Sequence, residues 1–283
     1  LSTRSYRGYR RLKPLLRSTL GRIDAVAAQA ADCARRFVDL GIPGDRVRVT
    51  GSVKYDGLES DRNNARTRAL RELLGLSPAD LVFVAGSTME GEEEAALAAY
   101  TAARHHHPRL RLILVPRHAE RFDAVARWLE QQGEVVLRRS RLQGPPPRKP
   151  SGRPPVILID TIGELGAVWG LADVAFVGGS LRPGRGGQNM MEPAAYGASV
   201  IFGPHTANFQ ETVEQLLSRQ AARRVADAEE LARGLLADLD DPEAAAARGA
   251  AGRTLVLAQN GAASRTLAEL DRLVEASLTQ AAA

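Results

Sequence analysis

Cysteine and aromatic side chains are scarce in this chain of 283 residues. The single cysteine, Cys33, excludes a disulfide within the chain and fits a reducing compartment. Aromatic residues make up only 5% of the chain, which leaves few rings to stack on nucleic-acid bases. No apolar run approaches the roughly eighteen residues needed to cross a bilayer. These shortages argue against a disulfide scaffold, a nucleic-acid-binding module and a membrane-spanning chain.

Common ligand motifs are missing as well. No G-x-G-x-x-G follows the first strand pattern and no Walker loop is present, which disfavours dehydrogenases and nucleoside triphosphatases. No residues have metal-ligand spacing, and the run HHHP at 105–108 is only a weak candidate at a predicted helix end. We expect neither a metal nor a cofactor.

Positive charge is the next feature. Only three of the 38 basic residues are lysine, and an arginine-rich, alanine-rich chain with a net charge of +5 is weak evidence for a nucleic-acid partner. Local clustering is more informative, since residues 1–22 carry seven basic residues and no acidic ones. This basic segment is either a solvated helix or a surface that attracts anionic lipids.

Short apolar runs alternate with helical patterns from about residue 44 onward. Most runs are apolar at consecutive positions, which is typical of strands buried on both faces of a parallel sheet. The alternation predicts a doubly wound α/β fold. The predicted strands are 46–53, 80–86, 110–116, 134–139, 155–160, 173–179 and 198–203.

Residues 1–50 differ from the rest, and we expect them to be the end of a preceding domain and a linker. They contain a predicted strand in IDAVAAQ and a helix in ADCARRFVDLG, which Gly41 would cap. Residues 51–283 then form a ligand-binding domain. The chain begins LSTRSYRGYRR without methionine, so we expect a fragment of a longer protein.

Polar residues follow several predicted strands, where ligands of open parallel sheets bind. Ser87 and Thr88 would cap a helix beginning near Glu90, or leave free amides for an anion. Arg117 follows a buried strand, where it needs either a helix acid or a ligand as its anionic partner. Glu164 follows Asp160 and Thr161, and a capping box with either residue as the cap explains Glu164 alone better than a ligand does.

The stretch GGSLRPGRGGQNMMEP, at residues 178–193, contains more candidate ligand-binding groups than the loops above. Five glycines between Gly178 and Gly187 would let main-chain N–H groups surround a phosphate, and Arg182 and Arg185 are either additional charge or solvated. Asn189 is a natural N-cap, and the helix beyond it would favour negative charge. Glu192 suits the paired hydroxyls of a ribose. Together these features predict a nucleotide site.

Six motifs in order resemble the bacterial Kdo transferases, which add 3-deoxy-manno-octulosonic acid to a lipid A precursor. The motifs are GSVKYD, AGSTMEGEEE, LILVPRHAERF, LIDTIGELGAVWGLADVAFVGGSL, GGQNMMEPAAYG and FGPHTANFQETVEQLL. The resemblance covers nearly the whole chain and implies a glycosyltransferase of the GT-B type, with two Rossmann-like domains. It implies that residues 51–283 bind the donor, CMP-Kdo.

The resemblance also carries binding positions to this chain. The CMP-contacting positions that it implies are Pro116, Arg117, Ile162, Gly163, Glu164, Asn189, Met190, Met191 and Glu192, and further candidates are Ser87, Gly187 and Gln188. Gln188 stands where the family usually has histidine, so it can donate a hydrogen bond to phosphate but carries no charge.

The implied reaction is an inverting, metal-independent transfer of Kdo in lipopolysaccharide synthesis, at the cytoplasmic face of the bacterial inner membrane. The implied partners are CMP-Kdo, the lipid A precursor and an anionic membrane surface, with no nucleic acid. The family's catalytic base is a glutamate of the N-terminal domain, so we expect no catalytic residue in these 283 residues. Alternatives are another GT-B enzyme that uses a UDP-sugar, either a glycosyltransferase or an epimerase, and a domain that only binds nucleotide.

Overall fold

Every strand pairs in parallel with its neighbours in the computed structural model, which describes residues 3–145 and 153–281. The strands are β1 (Val26–Ala28), β2 (Val47–Val49), β3 (Leu81–Thr88), β4 (Leu110–Pro116), β5 (Val136–Arg138), β6 (Val156–Leu158), β7 (Val174–Val177), β8 (Ser199–Phe202) and β9 (Arg223–Arg224).

The α-helices alternate with these strands through most of the chain. They are α1 (Thr3–Arg11), α2 (Lys13–Leu20), α3 (Ala31–Leu40), α4 (Ala65–Leu73), α5 (Glu92–Arg104), α6 (Phe122–Gln131), α7 (Leu165–Trp169), α8 (Met191–Ala195), α9 (Gln210–Ser218), α10 (Ala228–Asp240), α11 (Pro242–Leu257) and α12 (Ala262–Ala281). Local chemistry sets their ends: Asn64 caps α4 by accepting from the Thr67 amide, and Gly41 ends α3 with a φ of 112°.

Strands β3 to β9 form one seven-stranded sheet in the order β5-β6-β4-β3-β7-β8-β9. Strand β3 lies at its centre, where Phe83 pairs with Leu112 of β4 on one side and with Val174 of β7 on the other. Consecutive residues of these strands are buried because helices cover both faces of the sheet. The predicted fold class, a doubly wound parallel α/β sheet, is therefore confirmed.

The two faces of the sheet carry different helices. Helices α5, α6 and α10 pack on the face that presents Phe83, Leu112 and Phe176. Helix α7 packs against β3 on the other face, and α8 packs against β8. There the ring of Trp169 lies directly over Gly86, so that a Cβ atom at Gly86 would come within 2.4 Å of the indole Cη2.

Residues 1–57 and 257–283 form one compact unit of the chain, and residues 58–256 form another. In the first unit β1 pairs with β2, and the buried side chains are Ala28, Ile42 and Val47. Helix α12 belongs to this unit, and the Asp56 carboxylate accepts hydrogen bonds from its first two amides and from that of the preceding Gly261, the last at 2.6 Å.

The compact units do not coincide with the ranges 1–50 and 51–283, which stay a prediction about domains. The division between the units falls after Gly57, and α12 joins the unit that contains the start of the chain. The predicted strand 46–53 is β2, which pairs with β1 and not with the large sheet. A short apolar run indicates a strand but not its partner. None of the helices within 3–145 and 153–281 combines the length and apolarity that a membrane span requires.

Replacing Gly86 by alanine tests the packing of α7 on the central strand. Because the added Cβ would overlap the Trp169 ring, we expect Gly86→Ala to lower the free energy of unfolding by about 1–3 kcal/mol in urea titrations. Gly166→Ala is the matched control, since Gly166 lies in α7 with Trp169 and has nothing within 4 Å of its Cβ position. Equal stability of the two variants would contradict the packing described here.

Candidate functional site

The carboxyl ends of the parallel strands bring four polar loops to one edge of the large sheet. Main-chain hydrogen bonds place the loops at the same level: the Arg117 amide donates to the Thr88 carbonyl at 3.0 Å, and the Gly178 amide donates to that of Gly86 at 2.9 Å. From β3 the chain proceeds to β4, and from β7 it proceeds to β8 on the opposite side. The crevice between β3 and β7 is therefore the topological switch point, where such sheets bind ligands.

Ser87 marks this crevice with an unusual backbone conformation. Its φ is 55°, in the left-handed region, and the pairing of β3 with β4 shifts between Gly86 and Thr88. Residues in this conformation cluster at functional sites because the strain needs support from their surroundings. The prediction that Ser87 and Thr88 cap a helix near Glu90 is wrong, since α5 begins at Glu92 and Thr88 donates instead to Glu93.

Arg117 and Arg121 follow the next strand, and only Arg121 is paired. The Arg121 guanidinium donates to both oxygens of the buried Glu93 carboxylate, at 2.7 and 2.9 Å. Arg117 follows the buried Pro116, is exposed, and has no ion pair or side-chain hydrogen bond with any residue in the described ranges. Of the two partners predicted for Arg117, the helix acid is therefore excluded among these residues, and its charge has no partner there.

Asp160 lies at the end of β6 as a structural group. It accepts from Arg138 Nε at 2.6 Å and from both the amide and the hydroxyl of Ser140. Burial alone would raise the pKa of this carboxyl, but the hydrogen bonds from Ser140 and Arg138 outweigh burial and lower it. Asp160 thus ties β5 to β6 as an ionised carboxylate.

The turn after Asp160 exposes a small apolar surface beside a paired acid. Ile162 is 84% exposed, and Gly163 follows with a φ of 87°, which glycine adopts without strain. Glu164 bonds to the Thr161 hydroxyl and accepts from Arg139 Nη2 at 2.8 Å. The predicted capping box is wrong, since α7 begins at Leu165 with Glu164 itself at the cap position, and the contact between Glu164 and Thr161 joins two side chains. The turn leaves Ile162 and Gly163 exposed.

The glycine-rich loop after β7 differs from the predicted phosphate cradle. The amides of Gly179, Ser180 and Leu181 all donate to the carboxylate of Glu92, at 2.7, 2.9 and 2.9 Å. These three N–H groups, which we call the amide ring of residues 179–181, therefore bind a carboxylate of the protein itself, where the sequence predicted a phosphate. Arg182 is exposed, and its guanidinium lies against Gly91.

The far end of this loop folds back on its beginning. The amide of the buried Gly187 donates to the Gly179 carbonyl at 2.8 Å. The side chain of Gln188 lies against Gly179, with Nε2 3.3 Å from the position of a Cβ. Residues 179–188 thus form a closed turn that delivers the chain to Asn189.

Asn189 and Glu192 are held together by the start of α8. Asn189 accepts from the Met191 amide through Oδ1 and donates to Glu192 Oε1, both at 3.0 Å. The predicted N-cap is therefore one residue early, since Met190 occupies the cap, and α8 is too short, at five residues, for a strong dipole. Met190 and Met191 are buried.

The Glu192 carboxyl is largely removed from water. Burial raises its pKa, and the hydrogen bond from the Asn189 side-chain amide opposes this. A desolvated carboxylate at the crevice is a strong acceptor for sugar hydroxyls.

Sequence reasoning missed Glu92 because it stands first in a run of three glutamates at a helix start. Such runs are typical of favourable charge at a helix N-terminus. The structure gives the three residues different roles: Glu92 binds the β7 loop, Glu93 binds Arg121, and Glu94 is exposed. No sequence pattern signalled the contact with the glycine-rich loop, because Glu92 and Gly179 are 87 residues apart in the chain.

Comparisons with known proteins place these features in a family. The model for 3-deoxy-D-manno-octulosonic-acid transferase (kdotransferase) matches residues 1–57. A 3-deoxy-D-manno-octulosonic acid transferase of Haemophilus influenzae is 36% identical over 268 residues, which are 94% of this chain and 61% of that protein. The transferase of Bordetella pertussis is 35% identical over 259 residues, or 90% of this chain and 58% of that protein. The chain thus spans less than two thirds of the length of these relatives.

Comparison with solved structures indicates the same family. The C-terminal CMP-Kdo binding domain of WaaA from Acinetobacter baumannii is 32% identical, with a TM-score of 0.59, and the match covers 68% of this chain and 96% of that domain. Anabaena HepE in complex with UDP and glucose shares the fold alone, at 13% identity and a TM-score of 0.53, over 94% of this chain and 67% of that one. The sheet is the Rossmann-like architecture of GT-B glycosyltransferases, and the chain belongs to the family of 3-deoxy-D-manno-octulosonic acid (Kdo) transferases.

Proposed function

We propose that the protein to which this chain belongs transfers Kdo from CMP-Kdo to a lipid A precursor, and that residues 58–256 bind the CMP part of the donor. The proposal is supported by the 32% identity with a CMP-Kdo binding domain over nearly the whole of that domain. It is also supported by the relatives named as Kdo transferases.

One observation carries the assignment of the site. Arg121, Arg138 and Arg139 each neutralise a carboxylate at this edge of the sheet. Arg117 has no such partner among the described residues, although it follows β4 immediately and its amide is bonded to the residue after Ser87. An exposed guanidinium at a switch point is suited to the phosphate of a bound nucleotide.

The remaining candidates suit the other parts of CMP. Glu192 would accept from the ribose hydroxyls, with Asn189 fixing its orientation through the 3.0 Å hydrogen bond. The turn at 162–164 would meet the cytosine, since Ile162 offers apolar surface and Gly163 allows close approach to the main chain. Ser87, Gly187 and Gln188 border the crevice where the phosphate and the sugar would lie.

The expected chemistry is an inverting, metal-independent displacement. An acceptor hydroxyl attacks the anomeric carbon of Kdo from the side opposite to CMP and gives its proton to a general base, while the bond from that carbon to the phosphate oxygen breaks. Negative charge grows on that phosphate as CMP leaves, so Arg117 would stabilise the transition state more than the ground state. We assign no general base among the described residues.

The acceptor is a phosphorylated lipid in an anionic membrane, and we propose that the protein works at the cytoplasmic face of the inner membrane. The basic residues of α1 would attract that surface, since Arg7, Arg10 and Arg11 are exposed.

Calorimetric titration of this chain with CMP, UMP and UDP tests the donor assignment. We expect CMP to bind in preference to both uridine nucleotides. Arg117→Ala is expected to raise the Kd for CMP at least about tenfold, because a charge-assisted contact to phosphate is lost. In the full-length enzyme we expect kcat/KM to fall roughly a hundredfold, about 2.7 kcal/mol.

Arg109→Ala is the matched control for Arg117→Ala. Arg109 is also exposed and precedes β4, so the two arginines flank the same strand at opposite edges of the sheet. Preference for UDP would indicate an enzyme that uses a UDP-sugar. Equal losses of CMP affinity in the two variants would show that Arg117 does not contact the nucleotide.

Glu192→Gln should separate binding from stability. Burial raises the pKa of Glu192 above its ordinary value of 4.5, so the unfolded chain loses this proton at lower pH than the folded chain does. Stability contributed by this group is therefore present below pH 4.5 and is lost as the pH rises towards the folded pKa. Glutamine has no such loss, so we expect Glu192→Gln to be more stable than wild type at pH 7, with the difference disappearing in acid, while CMP affinity falls.

In urea titrations at pH 7, Glu164→Gln should change the free energy of unfolding in the direction opposite to Glu192→Gln. Its carboxylate is paired with Arg139, so the variant should lose up to about 1 kcal/mol at pH 7. A Glu192→Gln variant that is less stable than wild type at pH 7 would show that Glu192 is a structural anion.

Vesicle sedimentation tests the membrane surface. Replacing Arg7, Arg10 and Arg11 by glutamine should weaken binding to vesicles rich in anionic lipid by more than tenfold, since each nearby arginine contributes about 1 kcal/mol. The control replaces Arg66, Arg68 and Arg127, which are also exposed, and removes the same charge. Equal weakening in both triple variants would leave α1 as a solvated helix.

A further inference from the structure

Glu92 has a contact pattern that the proposed chemistry does not use. Its side chain is 1% exposed, and each oxygen accepts from two main-chain amides. Oε2 accepts from Met89 at 2.9 Å and from Gly179 at 2.7 Å, and Oε1 accepts from Ser180 and Leu181, both at 2.9 Å. No arginine, lysine or histidine in the described ranges forms an ion pair with it. The carboxylate is thus stabilised by converging N–H dipoles alone.

These contacts connect the two strands that border the crevice. Met89 belongs to the turn after β3, whereas Gly179 belongs to the loop after β7. The two turns are closely packed, because a Cβ at Gly178 would lie 2.5 Å from the Ser87 carbonyl oxygen and 2.7 Å from Glu92 Oε2. Glu92 therefore sets the width of the crevice on the side of Ser87.

The anchored turn also holds the candidate donor contacts. Gly187 donates to the Gly179 carbonyl, and Gln188 lies against Gly179, so the path from Glu92 to Asn189 runs through one closed turn. On its other side, Ser180 accepts from the Gly203 amide through Oγ at 2.8 Å, which ties the turn to the end of β8.

We propose that Glu92 is a positioning residue for the donor site: an internal anion that fills the amide ring of residues 179–181 and holds residues 178–188 in the shape that presents Gln188, Asn189 and Glu192 to the nucleotide. The link to CMP rests on the proposed function, whereas the shape of the loop does not. A neutral residue cannot replace this carboxylate, because four N–H donors require acceptors on both oxygens.

Amide exchange and acetate rescue test the proposal in this chain. Glu92→Ala removes the group beyond Cβ, for which acetate is a match in size and charge. We expect the amides of Gly179, Ser180 and Leu181 to exchange at least about tenfold faster in this variant. Sodium acetate should slow the exchange again, and sodium chloride at equal ionic strength should not.

The control is Asp238→Asn, which removes another buried carboxylate at the opposite edge of the sheet. Asp238 is 3% exposed and bonds to Ser199, at the start of β8, and to Arg223 and Arg248. This variant should lose stability without faster exchange at residues 179–181. Glu92→Gln is the second variant in case the alanine variant does not fold, and its amide nitrogen should also release part of the loop.

Nucleotide binding gives a separate measurement. If wild type binds CMP, Glu92→Ala should bind it at least about tenfold more weakly and recover with acetate. If wild type does not bind CMP, the proposed function fails, and the exchange measurement still tests the anchor. Unchanged exchange in the Glu92 variants, equal acceleration in Asp238→Asn, or equal effects of acetate and chloride would overturn the proposal.

Discussion

A single buried carboxylate joins the turn after the central strand of the sheet to the loop after its neighbour, at the point where the strand order reverses. Glu92 accepts four main-chain hydrogen bonds without a cationic partner in the described residues, and the donors come from two different turns. Burying an anion is costly unless donors surround it, so these two turns have little freedom to separate. The constraint extends to Gly187 and Gln188, which contact Gly179 at the other end of the same loop.

The charged side chains at this edge of the sheet are of two kinds, those with an oppositely charged partner and those without one among the described residues. Asp160, Glu93 and Glu164 each have an arginine, and these pairs connect β5, β6, α5 and α7. Such pairs stabilise architecture and leave little net field for a ligand. Arg117 and Glu192 differ, since one is exposed without a partner among the described residues and the other is desolvated with only neutral donors. The opposite charges of these two groups suit the phosphate and the ribose of one nucleotide.

Sequence patterns predicted the architecture well because burial on both faces leaves a direct trace in consecutive apolar residues. All eight predicted strands exist, and six of them lie in the large sheet. The other two, β1 and β2, pair with each other, because pairing depends on long-range contacts that a short apolar run does not encode. The motif positions at the strand ends were also predictable, since parallel strands bring all their carboxyl ends to one edge. The partner of the amides in the glycine-rich loop was not predictable, because the carboxylate that accepts from them lies 87 residues away from Gly179 in the sequence.

The most direct test of this account is a crystal structure of the chain with CMP bound. We expect the nucleotide at the edge where β3, β4, β6 and β7 end, with a phosphate oxygen on the Arg117 guanidinium and the ribose hydroxyls on Glu192. We also expect Glu92 to keep its four amide contacts in the complex. CMP bound at another surface, or with its phosphate in the amide ring and Glu92 displaced, would contradict it.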